Sequence, residues 1–128
     1  MQDNRFMRFS ALVGDTAFDL LQNSHVAIFG IGGVGSYLAE ALGRCGVGEL
    51  TLVDYDTIAS HNINRQIHAL SSTVGKGKAG EMAKRLWEIN PEVKLHIFEE
   101  RITPEMWILF SPMLAAILPT PLTMCRES

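Results

Sequence analysis

A glycine-rich hexapeptide is the strongest chemical signal in this sequence. Gly30, Gly32, Gly33 and Gly35 lie in the run Gly-Ile-Gly-Gly-Val-Gly, between an apolar segment and a segment of helical periodicity. Glycines at these positions permit a tight turn and let a phosphate approach backbone N–H groups at the positive end of a helix. The pattern predicts a nucleotide phosphate site; the alternative is a turn needed only for helix–strand packing.

An acid and several polar residues follow the glycines. Asp54 ends the next apolar segment, where nucleotide-binding folds place a carboxylate on the ribose hydroxyls, and Asp56 is its competitor. Asn62 and Arg65 lie in a polar stretch, and Lys78 begins a helical pattern. A lysine in a first helical turn opposes the helix dipole, which favours an anion in front of it. A triphosphate needs such cations more than a dinucleotide does, although two solvated surface cations would give the same pattern.

The surrounding sequence predicts the elements that position these residues. Apolar runs predict parallel strands, and apolar stripes at helical spacing predict helices. The expected strands cover 26–29, 50–53 and 93–98, the expected helices cover 15–23, 36–45 and 79–89, and a long loop covers 55–77. This order is typical of an α/β fold, a Rossmann-like parallel sheet with flanking helices. A loop that long in a compact domain is usually either functional or disordered.

Composition narrows the class of protein. The chain has 128 residues, enough for one domain, and its net charge of -3 argues against binding nucleic acid through charge alone. Cys45 and Cys125 form no close pair, which excludes a CxxC zinc site and fits a reducing compartment. The four histidines show no metal-ligand spacing in the sequence, so no metal site is expected from them. Without a signal peptide or a membrane-spanning segment, we expect a soluble, cytoplasmic protein.

Taken together, the motifs resemble the E1-like adenylating superfamily, also known by its ThiF, MoeB and HesA members. They are GIGGVGS at 30–36, DYD at 54–56, NINRQIHA at 62–69, VGKGK at 74–78 and INP at 89–91. The sequence of the third motif is most similar to that of the tRNA threonylcarbamoyladenosine dehydratases, and the sulfur-carrier adenylyltransferases come second. The resemblance covers about residues 5–104, and the combined motif is specific.

The resemblance implies ATP-dependent activation of a carboxylate, with Mg²⁺ as the metal. In the dehydratases the carboxylate belongs to threonylcarbamoyladenosine of tRNA, which then cyclises; in their relatives it is the C-terminus of a sulfur-carrier protein. By position, the four glycines would line the phosphates and Asp54 would hold the ribose. Asn62, Arg65 and Lys78 would contact the triphosphate and its transition state. Arg8, in an N-terminal arm, matches an arginine that in this family contacts the ATP bound by the second subunit of a homodimer.

The chain departs from this family after about residue 110. Relatives continue with a strand that ends in Asp-Ala-Ile-Asp, whose acid binds magnesium-ATP, and no such aspartate occurs here. Residues 1–110 are therefore predicted to form the N-terminal half of an adenylation domain, and 111–128 an aberrant tail.

Codons for 116–128 can be chosen so that a shifted frame encodes Asp-Ala-Ile-Asp, which leads to the hypothesis of a frameshift near 110–113. The coding DNA tests it directly. The third strand is then expected to have an open edge.

Four functional hypotheses remain from the sequence. The first is an incomplete threonylcarbamoyladenosine dehydratase acting on tRNA, and the second is an adenylyltransferase of a sulfur-carrier or cysteine-desulfurase system. The third is a fragment of an NAD-dependent oxidoreductase, and the fourth is a fragment that binds no nucleotide. Titration with ATP against NAD distinguishes the last two from the others.

Overall fold

The computed structural model of the chain describes residues 4–106. The elements, in order, are α1 (Met7–Val13), α2 (Asp15–Gln22), β1 (His25–Phe29), α3 (Gly33–Arg44), β2 (Glu49–Val53), a 3-10 turn (Ser60–Asn62), α4 (Lys78–Ile89) and β3 (Lys94–Phe98). No helix in this range is long and apolar enough to cross a membrane. The predicted tail at 111–128 lies outside the described residues.

The three strands form a parallel sheet in the order β1-β2-β3, which confirms the predicted α/β fold. His25 lies opposite Glu49, which in turn lies opposite Lys94. The helices α3 and α4 make the crossovers between these strands and pack against each other. All three carboxyl ends therefore meet at one edge of the sheet, where parallel α/β folds bind ligands.

The hydrophobic core lies between one face of the sheet and the two crossover helices. Ile28, Leu50 and Leu52 project from that face, and Met82 and Leu86 meet them from α4. Each is at most 5% exposed. Burying a side chain of this size stabilises the fold by about 1.5–3 kcal/mol, so this layer anchors both helices to the sheet. Since side chains alternate along a strand, the intervening residues face away from α3 and α4.

The N-terminal segment is helical, which corrects the prediction of an arm around Arg8. Gly14, with φ +89°, breaks the segment into α1 and α2. Phe6 packs on Phe18 at 5.8 Å between ring centroids, and the Phe18 ring also abuts Gly46 just after α3. The sequence predicted the helix that begins at Asp15 but none before Gly14, because α1 is too short to form by local propensity and depends on aromatic packing against α2.

The long loop between β2 and α4 is closed at its base. Thr57 and Gly77 form an antiparallel bridge, and the Ile58 N–H donates to the Lys76 carbonyl at 2.8 Å. This brings the start of α4 back to the carboxyl edge of the sheet. The loop also contains the 3-10 turn at Ser60–Asn62.

Both outer strands of the described sheet have an open side. The order β1-β2-β3 makes β1 an edge as well as β3, and only the edge of β3 was anticipated from the sequence. In doubly wound folds the second half of the sheet continues next to the first strand, so β1 is the edge that matters for completing such a fold.

Candidate functional site

The glycine turn joins β1 to α3 at the carboxyl edge of the sheet. Gly30 has φ +94°, a conformation that disfavours other residues, and its N–H donates to the Val53 carbonyl at 2.8 Å. A Cβ on Gly35 would collide with the Gly30 carbonyl oxygen, so only glycine permits this close approach. Helix α3 begins at Gly33, three residues earlier than predicted. Its first-turn N–H groups have no partner within the helix and, with the dipole, face any anion held by the turn.

Asp54 is hydrogen-bonded directly to this turn. Its Oδ2 accepts the Ile31 N–H at 2.7 Å, and its Oδ1 accepts the Asp56 N–H at 2.8 Å. The carboxylate lies one residue beyond β2 and is only partly exposed. Asp54 therefore does more than the predicted ribose contact requires, because it fixes the glycine turn against the end of the neighbouring strand.

The long loop contacts the same turn from the other side. His68 is buried, and its Nε2 lies 2.7 Å from the Ile31 carbonyl oxygen. Burial lowers the pKa of His68, so the imidazole is neutral and its Nε2–H donates to that carbonyl. The Ile67 N–H donates to Ser36 Oγ at 3.3 Å, which joins the loop to α3. The sequence predicted no metal site from His68 and gave no indication of this contact.

Gln66 is a site residue to which the sequence analysis assigned no role. It is 4% exposed, and its Nε2 lies 3.8 Å from where a Cβ on Gly32 would be. Its Oε1 is buried without a hydrogen-bond partner in the described structure, as is Nδ1 of His68. A buried polar atom without a partner is costly, which points to a ligand or water at this position. The only feature of the sequence that could have indicated a role for Gln66 was its position next to Arg65 in the NINRQIHA motif.

The predicted polar residues occupy different positions around the turn. Lys78 begins α4, is 6% exposed and lies 3.9 Å from Asp56 Oδ2. Asn62 is buried, and its Oδ1 accepts the Ala59 N–H at 2.8 Å. Arg65 is exposed, and its guanidinium donates to the His61 carbonyl at 3.0 Å within its own loop. Lys78 thus lies at the carboxyl edge, whereas the contacts of the Arg65 guanidinium are to His61 and Asn64 of its own loop.

Arg8 lies away from the glycine turn of its own chain. It is exposed on α1, and the nearby Arg5 donates to the carbonyl of Ile89 at 3.0 Å, where α4 ends. Because α4 starts at the carboxyl edge and its 12 residues span about 18 Å, its end is at the opposite side of the sheet. A cleft of about 450 Å³ also lies there, beside Arg5 and Arg85, and includes none of the predicted site residues.

The acids described at the carboxyl edge do not fit a magnesium ion by themselves. Both oxygens of Asp54 accept backbone N–H groups, and Asp56 faces the ammonium of Lys78. Mg²⁺ prefers near-octahedral oxygen coordination through one or two free carboxylates. We therefore assign no step at this edge to a metal ion.

Comparisons with known proteins agree with this geometry. The ThiF family pattern matches residues 4–119. The chain is 46% identical over 101 residues to the tRNA threonylcarbamoyladenosine dehydratase of Escherichia coli, covering 79% of this chain and 38% of that protein. It is 36% identical over 110 residues to the sulfur carrier protein ThiS adenylyltransferase of Escherichia coli, covering 82% and 44%.

A solved structure is similar over the same region. The Escherichia coli tRNA N6-threonylcarbamoyladenosine dehydratase in complex with ATP superposes with a TM-score of 0.82 at 42% identity, covering 85% of this chain and 45% of that one. The chain thus spans less than half the length of these relatives.

Proposed function

Because this chain belongs to the ThiF family, we propose that it is the nucleotide-binding half of an enzyme that adenylates a carboxylate with ATP. The observation that carries the proposal is the fixed glycine turn: Asp54 holds the N–H of Ile31, and His68 holds its carbonyl. A turn held on both sides can present its amides to a phosphate with little further ordering. A turn needed only for packing requires no such pair of polar contacts.

The phosphates are proposed to lie over Gly30, Gly32, Gly33 and Gly35, at the start of α3. Here the backbone N–H groups of the first turn and the helix dipole favour negative charge. Gln66, whose Nε2 lies 3.8 Å from where a Cβ on Gly32 would be, has a buried Oε1 without a hydrogen-bond partner, which ATP or its hydration shell can satisfy. Asp54 retains lone pairs for a ribose hydroxyl beside its two backbone contacts.

The cations and Asn62 are proposed to hold the triphosphate. Lys78 sits near Asp56 at a distance longer than a charge-assisted hydrogen bond, so a phosphate oxygen can replace that contact. Arg65 gives up exposed contacts within its own loop when it turns toward the phosphates, which costs little. Asn62 orients the loop that carries Arg65, and its side-chain amide is proposed to be a third polar contact to the triphosphate.

Arg8 is proposed to act on the ATP of a second copy of the chain. Its helix lies at the far side of the sheet from the glycine turn of the same chain, so it cannot serve that site without a large rearrangement. This proposal requires a homodimer, in which each site is completed by the other subunit.

The substrate proposed is threonylcarbamoyladenosine in tRNA, whose carboxylate would cyclise after activation. The identity of 46% to a protein named for this dehydration exceeds the 36% to the ThiS adenylyltransferase. Activation of a sulfur-carrier protein is the second candidate, because that relative is matched over a similar share of this chain. Pyrophosphate release with modified tRNA, compared with release with a sulfur-carrier protein, distinguishes the two.

Titration calorimetry of the 128-residue chain with ATP, and separately with NAD, tests the nucleotide proposal. ATP is expected to bind more tightly, and Arg65→Ala to weaken ATP by about 10- to 100-fold, because charge-assisted hydrogen bonds contribute about 1.5–3 kcal/mol. Lys84→Ala is the matched control, since Lys84 is an exposed cation paired with Glu81. Preference for NAD would favour the oxidoreductase hypothesis, and a folded chain that binds neither nucleotide would contradict the proposal.

A further inference from the structure

A second group of polar side chains lies at the opposite edge of the sheet, where the strands begin. His25 and Glu49 are the first residues of β1 and β2, and His96 is the third residue of β3. Their imidazole nitrogens and carboxylate oxygen all lie within 4.8 Å of one another. They project from the face of the sheet opposite to α3 and α4. The sequence predicted no metal site from the histidines, because these three residues are remote from one another in the chain.

Glu49 is the centre of the group. Its Oε2 lies 2.6 Å from His96 Nε2 and 3.6 Å from His25 Nδ1, and the two imidazole rings are 5.4 Å apart between centroids. In a tetrahedral zinc site the donor atoms lie about 3.3 Å apart, which follows from metal–ligand distances of about 2.0–2.1 Å. Small side-chain rotations would bring these three atoms to that spacing.

His25 has an outer contact of the kind that metal-bound histidines make. His25 Nε2 lies 2.6 Å from Thr51 Oγ1, which leaves Nδ1 directed toward Glu49. A metal-bound histidine usually donates its other ring N–H to an oxygen in this way, which fixes the tautomer and the ring orientation. Thr51 is fully buried, so its hydroxyl is held in place.

We propose that His25, Glu49 and His96 bind one divalent transition-metal ion of the zinc type. Two imidazoles and a carboxylate suit Zn²⁺, with solvent in the fourth position, whereas Mg²⁺ prefers oxygen ligands alone. The side chains are 22%, 32% and 48% exposed in that order, so an ion can enter from solvent. Lys94, the other charge beside Glu49, is exposed and can move away from a cation.

The proposed site is separate from the nucleotide site. The two lie at opposite ends of strands of five residues, about 16 Å apart along β1. The ion would join the first residues of β1 and β2 to the third residue of β3, three strands that are otherwise held there by backbone pairing, so we assign it a stabilising role. The proposal of this metal site does not depend on the proposed function.

Calorimetric titration of the metal-free 128-residue chain with ZnCl₂ tests the proposal. One ion is expected per chain, with a rise in melting temperature and the visible absorption of tetrahedral Co²⁺ when cobalt replaces zinc. The double variant His25→Gln/His96→Gln should weaken binding at least about 100-fold, since changes in outer contacts alone cost 10- to 100-fold. Thr51→Val should weaken it about 10-fold.

His61→Gln is the matched control, because it removes an exposed histidine from a different part of the chain. Glu49→Gln provides a second test in case the double variant folds poorly; it can keep the contact to His96 but loses the anionic ligand. Unchanged zinc binding in a folded double variant or in Glu49→Gln would overturn the proposal, as would no binding to the folded parent chain. Loss of binding in His61→Gln equal to that in the double variant would also overturn it.

Discussion

The substitution Asp54→Asn tests whether Asp54 holds the glycine turn in position, because loss of that role lowers the stability of the chain even without a nucleotide. In the parent chain, two carboxylate oxygens accept the N–H groups of Ile31 and Asp56 at 2.7 and 2.8 Å. An asparagine keeps one acceptor, and its NH₂ group then faces the second N–H. A hydrogen bond to a charged group contributes about 1.5–3 kcal/mol, and partial exposure of Asp54 favours the lower end. We expect the free energy of unfolding to fall by about 1.5–2 kcal/mol.

Urea denaturation followed by circular dichroism measures this loss. The midpoint should fall while the slope stays constant, since the surface exposed on unfolding is unchanged. Calorimetry on the folded variant should show weaker ATP binding, because the N–H groups of the turn are no longer held in position.

Asp56→Asn is the control for charge at this edge. The Asp56 side chain is 48% exposed and lies 3.9 Å from Lys78, and its backbone N–H is retained. Because this contact is long and half-exposed, the unfolding free energy of Asp56→Asn should change by less than about 1 kcal/mol. If Asp54→Asn were as stable as the parent chain, the carboxylate would not be holding the glycine turn, and the physical basis for a prepared phosphate site would be lost.

Two further predictions concern packing and pH. Gly35→Ala should lower the unfolding free energy by about 1–3 kcal/mol and impair ATP binding, because its Cβ would collide with the Gly30 carbonyl. Arg85→Ala should destabilise by about 1–3 kcal/mol at neutral pH, since Arg85 donates two hydrogen bonds to Glu40, at 2.6 and 2.9 Å. Those bonds lower the pKa of Glu40 below its usual 4.5, so the difference from the parent chain should shrink as pH falls through the lowered pKa.

Matched variants distinguish these effects from general damage. Gly32→Ala leaves room for its Cβ, which would meet Gln66 Nε2 at 3.8 Å, and should retain the fold. Lys84→Ala removes an exposed ion pair with Glu81 and should cost under about 1 kcal/mol. A Gly35→Ala variant as stable as the parent chain would contradict the steric argument. A stability difference between Arg85→Ala and the parent chain that persists at low pH would contradict the lowered pKa of Glu40.

Local patterns in the sequence were sufficient to predict the framework of this protein. Continuous apolar runs, helical stripes and the glycine motif depend on neighbouring residues, so they predicted a parallel sheet with the glycine turn at its carboxyl edge. The predicted bounds differ from the observed ones by no more than three residues, the largest difference being the start of α3 at Gly33. The helix α1 was missed because so short a helix depends on tertiary packing.

Tertiary structure alone decided how distant side chains combine. The sequence predicted a ribose contact for Asp54, but only the turn geometry shows that Asp54 holds Ile31, 23 positions away. His68 reaches the same residue across 37 positions, and Gln66 is buried beside it. Glu49 and His96 are 47 positions apart, so no local spacing could have indicated a shared ligand set. Strand register sets such contacts, because it aligns residues that are remote in the chain, whereas sequence periodicity specifies only which face each residue occupies.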